Sequence, residues 1–206
     1  MRIKICGMTS PQNLEQVGAL GPDYVGYIFY PASKRYVGER PDPALFQIPG
    51  PEIQKVGVFV NESLSFVLGA FESYHLHLVQ LHGDEKPDYC RRLLEEGVPV
   101  IKALDAGADK SRLEEYRGLV QCFLFDTPGK GYGGTGQKFD WELLKNIPPE
   151  LPFLLGGGIG PGDAGAILDL NHDGMLGVDL NSRFELAPGI KDVTMLKEFM
   201  ELIKKK

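Results

Sequence analysis

The chain has 206 residues, 43% hydrophobic and 24% charged, with a formal net charge of −6. That length allows one domain with a sizeable core, residues 1–206. No apolar run approaches the ~20 residues that span a bilayer, and the acidic balance speaks against nucleic acid as a partner.

Three widely spaced cysteines, Cys6, Cys90 and Cys122, suggest neither a metal pair nor a disulfide framework. The opening Met1-Arg2-Ile3-Lys4-Ile5 has no signal-peptide pattern. Both features predict a reducing, cytoplasmic setting. No composition shift marks a linker.

Short apolar runs recur along the chain at 3–6, 24–29, 55–60, 76–81, 98–104, 120–126, 152–156 and 175–180. Their spacing of about 26 residues suits a repeated βα unit. Amphipathic segments lie between them. Ser10 and Pro11 open the first, as cap and first helical residue. Others are expected at 62–71, 86–95, 111–117, 141–145, 161–168 and 192–204. Prolines at 41, 43, 49 and 51 leave room only for a short helix at 43–47. Eight alternations predict a closed (β/α)8 barrel, with an open doubly wound sheet as the alternative. In a barrel the reactive groups sit at the C-terminal ends of the strands.

Side chains alternate along a strand, so Lys4 and Cys6 face inward if Ile3 and Ile5 face the helices. Cys6 then sits at the mouth, as a thiolate base or as a small buried apolar residue. Arg35 follows the second strand, as a carboxylate or phosphate ligand or as a surface residue. Gln80 and His82 share the inward face of the fourth. His82 could move a proton or serve as a structural hydrogen-bonding group. His75 and His77 share a strand face but have no third ligand in view, so no metal is expected.

Asp126 ends the sixth strand and could act as a general acid or as a turn carboxylate. The glycine-rich loop behind it matches G-x-G-x-x-G twice, but no helix opens inside the motif, so no dinucleotide site is read there. Gly156-Gly157-Gly158-Ile159-Gly160-Pro161 offers backbone N–H groups at a helix start, which suits a phosphate. Ser182, behind the eighth strand, is placed for the other half of that site. Asp179 should point inward beside Lys4 and offset its charge, because an unpaired interior lysine is costly.

Taken together, Lys4-Ile5-Cys6-Gly7-Met8-Thr9, Arg35, Gln80-Leu81-His82-Gly83, Phe125-Asp126-Thr127 and Gly133-Gly134-Thr135-Gly136 resemble the phosphoribosylanthranilate isomerase family of tryptophan biosynthesis. So do Phe139-Asp140-Trp141, Gly156-Gly157-Gly158-Ile159, Asp179-Leu180-Asn181-Ser182 and Pro188-Gly189-Ile190-Lys191-Asp192. The likeness runs in order along nearly the whole chain.

The resemblance implies a (β/α)8 TIM barrel of the ribulose-phosphate-binding type and no cofactor. It implies Cys6 as general base, Asp126 as general acid and Arg35 as holder of the anthranilate carboxylate. The glycines Gly157 and Gly158 with Ser182 would bind the phosphate, and His82, Gly134 and Asp179 complete the expected substrate site. The partner implied is a small phosphorylated substrate, with neither nucleic acid nor membrane, and the enzyme would be a monomer or homodimer. Arg183 stands where many relatives carry glycine, and Gly156 where alanine is common.

Two rivals remain. A histidine-pathway sugar isomerase runs the same rearrangement with paired aspartates at strand ends one and five, where this chain has Cys6 and Leu104-Asp105. A non-catalytic phosphate-binding barrel would have little use for both Cys6 and Asp126.

Overall fold

The computed structural model describes residues 1–127 and 138–204. Eight parallel strands close into a barrel in chain order: β1 (Arg2–Cys6), β2 (Tyr24–Ile28), β3 (Gln54–Phe59), β4 (Leu78–Leu81), β5 (Val100–Asp105), β6 (Cys122–Asp126), β7 (Phe153–Leu155) and β8 (Met175–Leu180). Closure is made by β1 on β8, in a register that sets Lys4 beside Asp179. Helices α1 (Pro11–Gly18), α2 (Ala44–Gln47), α3 (Leu64–Ser73), α4 (Pro87–Glu95), α5 (Lys110–Glu115) and α6 (Ala164–Asp169) lie between the strands, and α7 (Val193–Lys204) follows the last. No helix among the described residues is long and apolar enough to cross a membrane.

Alternation divides the core. Tyr24, Val56, Leu78, Ile101, Ala103, Cys122, Leu124 and Leu154 fill the barrel interior. The intervening residues, among them Ile3, Ile5, Val25, Tyr27, Phe123 and Phe125, pack outward with the helices. Cys6, Ile28 and Val58 form a separate small cluster one layer higher, and this layer floors the site.

Capping chemistry sets the helix starts. Ser10 accepts the Asn13 N–H at 3.3 Å with Pro11 at the first helical position, and Ser63 accepts the Phe66 N–H at 3.2 Å.

Two elements differ from expectation. Residues 141–145 form part of a 3-10 helix, Trp141–Asn146, rather than an α-helix, because Pro148 and Pro149 leave no room for further turns. A short hairpin, β9 (Glu185–Ala187) with β10 (Ile190–Lys191), intervenes before α7. Its strands are too short to show a period. The Pro188-Gly189 turn, with Gly189 at φ +85°, was its only signal. Asn13 of α1 fastens this hairpin, donating to the Lys191 carbonyl at 2.9 Å and accepting the Lys191 N–H at 2.7 Å.

Candidate active site

A cavity of about 340 Å³ opens at the C-terminal ends of the strands. Cys6, Arg35, His82, Asp126, Gly157, Gly158, Asp179 and Ser182 all line it. They come from the ends of six strands, β1, β2, β4, β6, β7 and β8. Gly134 and the remainder of the glycine-rich stretch at 128–137 lie outside the described residues, as do Lys205 and Lys206.

Lys4 is fully buried, and its Nζ donates to Asp179 Oδ1 at 2.9 Å, the pairing that interior charge requires. The ammonium also acts on the Cys6 thiol and favours its ionised form. Gly26 is what lets the two meet. A Cβ there would stand 2.9 Å from Cys6 Sγ and 3.3 Å from Lys4 Nζ. Burial pushes the Cys6 thiol above its ordinary pKa, while Lys4 and Lys191 pull the other way. Burial prevails, so the resting group is a thiol.

Arg35 is clamped from the side. Its Nε donates to Glu185 Oε1 at 2.8 Å and Nη2 to Oε2 at 2.6 Å. Glu185 also accepts from Lys191 Nζ at 2.7 Å, and Lys191 donates onward to Asn181 Oδ1 at 2.8 Å. Two cations therefore share one carboxylate, and the cluster keeps a net positive charge. Glu185 is held well within the carboxylate form: desolvation opposes ionisation, but Arg35 and Lys191 outweigh it. Among the described residues Arg35 Nη1 has no hydrogen-bond partner, so the outer edge of the fork is open to a second carboxylate. Sequence reasoning found Arg35 but missed Glu185 and Lys191, which sit on the hairpin.

Asp126 ends β6 with its side chain 22% exposed. Its Oδ1 accepts the Thr127 N–H at 2.7 Å, and its Oδ2 lies 3.2 Å from His82 Nε2. His82 Nδ1 lies 2.9 Å from Gln80 Nε2. His82 thus touches the carboxyl rather than standing alone at the rim. A buried cluster supports its loop: Lys102 Nζ donates to the carbonyl of Gly83 at 2.7 Å and to Glu85 Oε2 at 3.0 Å. His77 Nδ1 accepts the Lys55 N–H at 3.0 Å, which commits that nitrogen to the sheet.

Gly157 and Gly158 both adopt positive φ, +76° and +67°. Gly157 also has no room for a side chain, since a Cβ would lie 2.5 Å from Thr127 Oγ1 and 3.2 Å from Asp126 Oδ1. Neither glycine gives its N–H to another described residue, nor does Ser182. All three residues line the cavity, where free backbone donors suit an anion. Arg183 is exposed and lies along the same loop, with Nε 3.5 Å from where a Gly160 Cβ would stand.

A closed parallel barrel that gathers a thiol, a carboxyl, an open guanidinium edge and paired glycine N–H groups at one rim is a (β/α)8-barrel enzyme by architecture and site. The chain belongs to the N-(5'-phosphoribosyl)anthranilate isomerase family, whose model matches residues 3–202. It is 43% identical over 206 residues to the N-(5'-phosphoribosyl)anthranilate isomerase of Parabacteroides distasonis, covering 98% of this chain and 93% of that protein. It is 41% identical to the enzyme of Phocaeicola vulgatus, covering 100% and 99%. A solved phosphoribosylanthranilate isomerase in complex with reduced 1-(o-carboxyphenylamino)-1-deoxyribulose 5-phosphate superposes with a TM-score of 0.81 at 31% identity, covering both chains fully.

Proposed function

We propose that this chain isomerises N-(5'-phosphoribosyl)anthranilate to 1-(2-carboxyphenylamino)-1-deoxyribulose 5-phosphate, the third step of tryptophan synthesis from chorismate. The observation that carries the reading is that Cys6 and Asp126, 120 positions apart, line one cavity together with Arg35, Gly157 and Gly158. Donors for a carboxylate and for a phosphate thus share it with an acid–base pair.

Asp126 Oδ2 protonates the furanose ring oxygen as the C1–O bond breaks, and the amine lone pair forms the protonated Schiff base. Cys6 then removes the proton from C2, giving an enolamine that tautomerises to the ketone. Each positioned group contributes ~10²–10⁴-fold. The resting thiol is no obstacle. The Schiff-base cation arrives in a dry site that already holds Lys4, and opposite charge favours the thiolate.

Freshly prepared phosphoribosylanthranilate loses its fluorescence on isomerisation, so the purified chain should quench it catalytically. A rate equal to that of buffer alone would refute the assignment. The pH dependence has a definite sign. The base acts deprotonated and burial raises its pKa in the free enzyme, so kcat/KM should climb with pH past the range of a solvent-exposed cysteine. A plateau well below about 8.5, the value of a cysteine in water, would place the base elsewhere.

Arg35→Lys should act on binding. A lysine cannot serve Glu185 and a substrate carboxylate through one planar fork. Losing a charged hydrogen-bond pair worth about 1.5–3 kcal/mol should raise KM by roughly 10–150-fold with a smaller change in kcat. Steady-state kinetics checks the split.

A further inference from the structure

Gln80 is buried inside the barrel and lines the cavity floor. Its Nε2 lies 2.9 Å from His82 Nδ1, but its Oε1 is buried with no hydrogen-bond partner among the described residues. Nothing else therefore fixes the amide in this orientation. An amide has a donor end and an acceptor end, and a neutral imidazole has one of each. The end that faces Nδ1 must match the proton found there.

With Nε2 opposite Nδ1, the ring proton sits on His82 Nε2, which lies 3.2 Å from Asp126 Oδ2. Asp126 is then a carboxylate, with the Thr127 N–H on its other oxygen. With the amide turned, Oε1 accepts a proton from Nδ1. His82 Nε2 then shares a second proton with Asp126 Oδ2. The turned arrangement holds one proton more, and that proton is the one general acid catalysis needs.

We propose that Gln80 is a positioning residue that couples the His82 tautomer to the protonation of Asp126, so that turning its amide arms and disarms the acid. The inference rests on the isomerase reading above. In the armed state the shared proton passes from Asp126 to the ring oxygen, and the electron pair of the breaking C1–O bond goes to that oxygen. The bare Nε2 then takes a proton from solvent as Nδ1 releases its own to solvent, and Gln80 turns back. A proton taken from solvent resets the pair.

Nitrogen-15 NMR of the imidazole, in the full-length protein at pH 8, reads the tautomer directly. The wild type should show the proton on Nε2. Gln80→Glu keeps the shape and as a carboxylate can only accept at Nδ1, so His82 should be doubly protonated there, since opposite charge favours the cation. The alkaline limb of kcat should move up accordingly, while KM stays within about twofold. Gln80→Leu, of similar volume, should lower kcat and remove the tautomer preference. An unchanged His82 tautomer and an unchanged kcat profile in both variants would overturn the coupling. Failure of the wild type to turn over would instead overturn the isomerase reading, and the NMR comparison would still decide the coupling.

Discussion

Replacing Asp126 with asparagine, or Cys6 with serine, should lower kcat by about 10²–10⁴-fold while leaving affinity for the reduced product within roughly tenfold. Asparagine keeps an acceptor for the Thr127 N–H, which now holds Oδ1 at 2.7 Å, so the loop should stay in place. It has no proton of suitable acidity to give the ring oxygen. Serine fits the space between Gly26 and Lys4, but its hydroxyl is far harder to ionise than a thiol. In both variants Arg35 and the glycine N–H groups remain, and these are the donors that would grip carboxylate and phosphate. Single-turnover kinetics together with calorimetry on the reduced product separates the two effects. Turnover retained within tenfold in either variant would show that the proton passes through another group. Loss of binding in step with rate would identify the residue as a ligand.

Most of this site could be read before the structure because barrel geometry converts one-dimensional spacing into position. Each apolar run of the expected set contains or overlaps a strand, and the residues at the C-terminal ends of those runs, Cys6, His82, Asp126 and Asp179, reach one cavity. The Lys4–Asp179 pair was legible for a physical reason: closure makes β8 the neighbour of β1, and a buried lysine must find a carboxylate. Glu185 was not legible. It meets Arg35 from 150 residues away, on a hairpin strand of three residues whose orientation no local periodicity could fix. Gln80 was placed on the correct face, but its role depends on a 2.9 Å contact with His82 and an orphaned oxygen, neither of which spacing can reveal. The thiol of Cys6 illustrates a different limit. Sequence placed a lysine on its face, but only the depth of burial decides whether cation or desolvation prevails.

That balance makes Lys4→Met the most telling substitution. An opposite charge within ~4–6 Å shifts an ionisable group by 1–3 pKa units. Removing the ammonium from beside Cys6 should therefore cut the thiolate fraction, and with it kcat/KM near neutral pH, by about 10–10³-fold. The rate should recover partly as pH is raised, because the base still exists and only its pKa has moved. Stability should fall as well. Breaking a buried pair leaves Asp179 uncompensated, which costs about 3–5 kcal/mol unless the carboxylate takes up a proton. The two losses are separable in the double variant Lys4→Met/Asp179→Asn. Neutralising both members removes the stranded charge, so denaturation by urea should show most of the stability restored. The catalytic loss should persist, because no cation returns to the thiol. If activity instead recovered along with stability, Lys4 would serve only to neutralise Asp179, and the thiolate would owe its formation to Lys191 and the substrate cation alone.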